Sequence, residues 1–174
     1  MKRNLLIALF TFAAVCFGQI AYAQVEATTS DVTVNINLTD AISITLGPDP
    51  IVDFNYVDAD DYSQEQIVNK PNHFTVISNQ EYNLSVQATT EFTPTGPALD
   101  IVTVSVDPAS VTANGGTAIE NVPLNLSPEP LLNTANPSTS AVYQINYEIA
   151  DPTPLLGLAA GTYTATVTYT ATQL

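Results

Sequence analysis

The sequence predicts an all-β protein, an antiparallel β-sandwich of about seven to nine strands. Three observations carry the prediction. The closing segment Thr162–Thr172 alternates strictly, with Tyr163, Ala165, Val167, Tyr169 and Ala171 on one face and Thr162, Thr164, Thr166, Thr168, Thr170 and Thr172 on the other. Successive side chains of a strand point to opposite faces, so this period of two marks a half-buried strand. The same alternation recurs back to residue 31, cut by clusters of Gly, Pro, Asn and Asp that signal turns. No stretch carries a helical period, and no repeat marks a solenoid or propeller.

Residues 1–23 read as a signal peptide: Lys2 and Arg3, then an apolar run from Leu5 to Val15 broken only by Thr11, then Ala21-Tyr22-Ala23 as the small-x-small cleavage pattern. The run is short for a membrane span, and no later segment is long and apolar enough to be one. The rival processing is lipid anchoring at Cys16, where Val15 occupies the position that usually holds Gly or Ala. Cleavage after Ala23 leaves residues 24–174 as a single domain, large enough to bury a sound core. That domain has no cysteine, so core packing and sheet hydrogen bonds must hold it, and it has neither a cysteine nucleophile nor a thiolate metal site.

The charge balance is one-sided. After the leader there is one cation, Lys70, against 17 acidic residues, a net of −16 with histidine neutral. Binding a phosphate backbone depends on Lys and Arg displacing counterions, so this composition argues against nucleic acid and anionic lipid. Attraction to cations is the opposite expectation, and the charge also suits solubility in an extracellular setting.

The elements follow in order. Val32, Val34, Ile36 and Leu38 alternate with polar residues, and the phase continues through Ile42, Ile44 and Leu46. Asp40 falls in the inward phase, which predicts a break at Thr39-Asp40-Ala41 rather than a buried carboxylate. Gly47-Pro48-Asp49-Pro50 is a turn. Ile51–Val57 is a short strand with Val52, Phe54 and Tyr56 on one face, and Asp58–Asn72 is a polar excursion, with Ile67 and Val68 tucking a short piece of it against the core. Phe74 and Val76, a turn at Ser78-Asn79-Gln80-Glu81, then Tyr82, Leu84, Val86 and Ala88 read as a hairpin. Thr93–Pro97 is another turn, and Val102, Val104 and Val106 make the next strand. Asp107-Pro108 ends it, and Asn114-Gly115-Gly116 is a turn. Val122, Leu124 and Leu126 alternate, but Pro123 has no N–H for a ladder and places this strand at an edge. Ser127–Ser140 reads as loop, with Pro128, Pro130 and Pro137. Tyr143, Ile145, Tyr147 and Ile149 form a strand, Asp151–Gly161 a loop with Leu155, Leu156 and Leu158, and the terminal strand completes the chain.

Two stretches carry a family resemblance. Ala160-Gly161-Thr162-Tyr163-Thr164-Ala165-Thr166-Val167-Thr168-Tyr169 is similar to the closing strand, and Asn72–Val86 to the mid-domain stretch, of secreted bacterial immunoglobulin-like domains of the fimbrial-subunit type, the spore-coat-U-like and related surface families. The resemblance implies an immunoglobulin-like sandwich in the periplasm, at the cell surface or outside the cell. It also implies assembly by strand exchange, a neighbour's N-terminal extension filling a groove by β-augmentation. Val32, Val34, Ile36 and Leu38 are the plugs such an extension would carry, unless they form the domain's own first strand.

Other residues are weighed for binding. Asp58, Asp60, Asp61 and Glu65, with Asp53 nearby, put enough oxygens on one loop for Ca²⁺, though without the Gly and Glu of an EF-hand loop. His73 is the only histidine, no Gly-x-Ser-x-Gly elbow accompanies it, and zinc needs more nitrogen or sulfur ligands than the chain has. We therefore expect no enzyme and no cofactor beyond calcium. The tyrosines can stack on sugars, but most lie in the apolar phase and read as core; Tyr62, in the acidic loop, is the exception. The threonine face of the last strand offers a flat polar surface, a role threonine also fills simply by suiting the wet side of a sheet. Asn37, Asn83 and Asn125 head glycosylation sequons. The expectation is an exported structural or adhesive surface protein with protein partners, including its own copies. The alternative is a monomeric module binding carbohydrate or calcium.

Overall fold

The computed structural model describes residues 30–31 and 33–174. The signal-peptide reading at residues 1–23, with Cys16, and the plug Val32 lie outside the described residues. The chain divides into two units, Met1–Asn37 and Leu38–Leu174. In the first, residues 30, 31 and 33–37 are exposed and form no strand. The second contains nine strands, one α-helix and three single-turn 3-10 helices; the strands and the α-helix are β1 Ile42–Leu46, β2 Gln66–Ser78, β3 Tyr82–Ala88, β4 Thr103–Val106, α1 Pro108–Asn114, β5 Thr117–Ala118, β6 Val122–Pro123, β7 Glu129–Ala135, β8 Ser138–Ile149 and β9 Val167–Gln173. They form two antiparallel sheets. The first runs β1-β2-β8-β4-β6 and the second β5-β7-β3-β9. One core lies between them.

The alternation read from the sequence places that core. Phe74 and Val76 of β2, Leu84 and Val86 of β3, Val104 and Val106 of β4, and Tyr143 and Ile145 of β8 are fully buried, each stabilising by roughly 1.5–3 kcal/mol through loss of apolar surface to the interior. At the centre the Tyr82 hydroxyl, from the second sheet, meets the Tyr143 hydroxyl of the first at 2.7 Å, so each buried polar group satisfies the other.

Six local expectations are corrected. Residues 33–41 join no ladder, and the first strand begins at Ile42. Residues 51–57 form no strand either, although Val52, Phe54 and Tyr56 do rest against the core as their spacing predicts. The excursion expected to run to Asn72 ends earlier, because β2 starts at Gln66 and bulges between Lys70 and Phe74. Within that bulge Asn72 takes φ 52°, and its carbonyl lies so close to Gly47 that any Cβ there would strike it. The β2–β3 connection is not a hairpin, since β2 pairs with β1 and β8, and β3 with β7 and β9. The chain arches across the end of the core, and alternation cannot distinguish an arch from a hairpin because both strands point the same side chains inward.

The segment read as loop at Ser127–Ser140 contains β7, an interior strand. Its register with β3 slips between Leu84 and Ser85, so the consecutive Leu131 and Leu132 are both fully buried and the period of two is lost. Pro130 is tolerated because β5 reaches only Leu132 and Asn133, which leaves the strand locally one-sided. The last correction is α1. Asp107 caps it by accepting from the Ala109 N–H at 2.9 Å, Pro108 opens it, and Gly115 closes it at φ 74°. These are helix-boundary residues as well as turn residues, and seven residues are too few to show a helical period. The edge predicted from Pro123 is borne out, with β6 last in its sheet.

Candidate functional site

The two ends of the chain build the least buried part of the sandwich. No described residue before Lys70 or after Pro152 is fully buried. Those ends supply β1 and β9, the outermost strands on one side of their respective sheets. The two strands approach each other at the Gln173 amide, which donates to the Ala41 carbonyl at 2.9 Å and the Asn79 side-chain oxygen at 3.0 Å. Ile44 of β1, Val52, Phe54 and Tyr56 of the segment after it, and Ala165, Val167, Tyr169 and Ala171 in and just before β9 are half-buried against the core.

The pairing of β9 fixes which backbone groups remain open. Thr89 N–H donates to the Thr166 carbonyl and Leu174 N–H to the Glu81 carbonyl, and in an antiparallel ladder such bonded pairs alternate. With the observed register, Thr168, Thr170 and Thr172 turn their backbone groups to β3. Val167, Tyr169, Ala171 and Gln173, whose side chains face the core, turn theirs to the outside. Beyond them lies no described strand. The same reasoning on β1, where Asn79 N–H donates to Ala41 and Gly47 N–H to His73, leaves Ile42, Ile44 and Leu46 open.

β9 has no charge, no proline and no glycine over seven residues. Edge strands are normally blunted by one of these, or by being short. The opposite edges, β5 and β6, are two residues each, and β6 contains Pro123. The unguarded edges are therefore those of β9 and of β1, which likewise has no charge, proline or glycine, and β9 is the longer of the two.

Beneath β9 runs a polar chain. His73, 3% exposed, places Nε2 2.8 Å from the Tyr147 hydroxyl, which in turn bonds the Tyr169 hydroxyl of β9. The imidazole meets both rings edge-on, at 5.6 Å and 5.5 Å. Its Nδ1 is buried without a partner. Burial, then the nearby Lys70 ammonium, holds the histidine below its ordinary 6.5, with Asp49 opposing. Burial also pushes Tyr147 up to about 12, so both phenols are neutral at physiological pH. Lys70 is paired with the exposed Asp49, whose carboxyl the lysine hydrogen bond holds below 3.8.

The sequence-predicted site residues fall as follows. Val34, Ile36 and Leu38 are 79%, 80% and 84% exposed, an alternating apolar run outside any ladder. Asp58 and Asp61 spend their carboxylates on the loop itself. Asp61 accepts from the N–H groups of Val57 at 2.6 Å and Asp58 at 3.0 Å, and Asp58 from that of Asp60 at 3.0 Å; the two bonds to Asp61 hold its carboxyl below 3.8. Asp60 and Glu65 are exposed, and among the described residues no three His, Cys, Asp or Glu side chains gather. Tyr62 is half-buried against Tyr56, ring centroids 5.1 Å apart. The threonines of β9 are exposed. Sequence reasoning missed the histidine–tyrosine chain; the signal was present in Tyr147 and Tyr169 at inward positions, but alternation does not say that His73 joins them. The sequence matches no protein-family model and no curated protein.

Proposed function

We propose that this chain is an exported structural surface protein, an immunoglobulin-like, fimbria-like subunit that assembles by β-strand addition along β9. The observation that carries the reading is the open, unguarded edge of β9, with Val167, Tyr169 and Ala171 only half-buried beside it. Main-chain groups on such an edge supply affinity, and alternate side chains supply selectivity. The occupant is the segment around Val34, Ile36 and Leu38 of another copy, whose apolar residues share the spacing of Val167, Tyr169 and Ala171. Export rests on the leader pattern at residues 1–23.

Light scattering on a sizing column, applied to the protein purified after export, tests this. The expected result is concentration-dependent multimers that disappear when residues 24–38 are deleted while the sandwich stays folded. A compact monomer at every concentration overturns the reading and leaves a monomeric binding module as the better account.

A further inference from the structure

We propose that the His73–Tyr147–Tyr169 chain is an acid-sensitive clasp, and that protonation of His73 loosens β9 from the sandwich. The clasp joins three strands: His73 on β2, Tyr147 on β8 and Tyr169 on β9. β9 is the element least able to do without it. It pairs only with β3, has no fully buried side chain, and its largest, Tyr169, rests on Phe74 at 4.8 Å and on His73.

The proton count decides the direction. A buried N–H without an acceptor is costlier than an unshared lone pair, so in the neutral ring the proton sits on Nε2. Nε2–H then donates to the Tyr147 oxygen, whose hydroxyl shares a hydrogen bond with that of Tyr169. The second proton has only Nδ1 to go to, and Nδ1 is enclosed with no acceptor. A cation there must find water, which it reaches only by withdrawing the ring and with it the support under Tyr169. The groups facing His73 are few. Lys70 on its own strand disfavours the cation, Asp49 on the preceding loop favours it from an exposed position, and Tyr147 and Tyr169 are neutral phenols.

The sign follows from linkage. A histidine held below its unfolded value contributes stability that is full above 6.5 and lost as pH falls through 6.5 towards the folded value. Because His73 is the only histidine and ordinary carboxyls titrate at about 4, the window from about pH 5 to about pH 7.5 is expected to report chiefly this side chain.

Its consequence for assembly rests on the strand-addition reading; the clasp itself is read on β9 amides in the monomer, so either can fail without the other. The test is NMR on the protein purified after export. The imidazole ring protons should titrate with a midpoint below 6.5, and between about pH 7.5 and about pH 5 the protection factors of Thr168, Thr170 and Thr172 amides should fall by about tenfold or more, while those of Tyr143 and Ile145 hold. In His73→Phe the pH dependence of β9 should vanish. A midpoint at or above 6.5, or β9 protection equal at both pH values, overturns the proposal on the unmodified protein alone; so does an unchanged pH dependence in His73→Phe.

Discussion

Tyr82 and Tyr143 show how a single side-chain pair ties two sheets. Their hydroxyls meet inside a core that offers no water, and burial pushes both phenols above 10.0, so the pair is neutral wherever the protein works. Removing one hydroxyl strands the other. Tyr143→Phe should therefore destabilise by about 1–3 kcal/mol, the cost of a buried unsatisfied group. The double variant Tyr82→Phe/Tyr143→Phe removes both polar atoms at almost constant shape and should recover part of that loss. Urea unfolding of the four proteins gives the coupling, expected at about 0.5 kcal/mol or more. Strictly additive losses would mean that the bond between the hydroxyls contributes nothing. Lys70 illustrates the other way a buried group is satisfied: its stem is enclosed while its ammonium reaches the exposed Asp49.

At the scale of elements, β9 separates a ladder side from an open side residue by residue, and proline reads the difference because it removes one N–H and little else in an edge strand. Ala171→Pro deletes an N–H that points outward, so the fold should lose little while multimers on a sizing column diminish. Thr170→Pro deletes an N–H that bonds to β3 and should cost about 1–3 kcal/mol in urea unfolding. Equal destabilisation by both would show that the assignment of sides is wrong. Much of this element was legible beforehand. The threonine alternation fixed which residues face inward, and the same period found β3, β4 and β8. It failed where the backbone departs from a regular pleat: at β7, where the slip buries Leu131 beside Leu132, and at α1, which is a single capped turn or two. It also failed at residues 33–38, where the pattern is strand-like and no ladder forms. Alternation reports the faces a segment can present. Which partner it meets depends on contacts far away in sequence, and that also hid the arch after Ser78 and the meeting of His73 with Tyr169.

For the molecule as a whole, two opposing terms govern whether copies associate. Residues 24–174 carry a net of −16, and like charges on approaching copies repel over about 8 Å at physiological ionic strength. The open edge of β9 attracts by main-chain hydrogen bonds and apolar contact and carries no charge of its own. Under the proposed strand addition, such a division would keep chains apart in dilute solution and let them join where an uncharged strand meets an uncharged edge. Salt acts on the first term alone. Raising the concentration to about 1 M shortens the screening length to about 3 Å, so multimerisation measured by light scattering should strengthen with salt at fixed protein concentration. In Ala171→Lys the opposite holds. A lysine at a half-buried edge position must be desolvated or left unpaired as a strand is added, and screening does not remove that cost, so salt should not restore multimers. If salt instead dissolves the wild-type multimers, ion pairs hold them together, and the acidic surface rather than β9 is the place where copies meet.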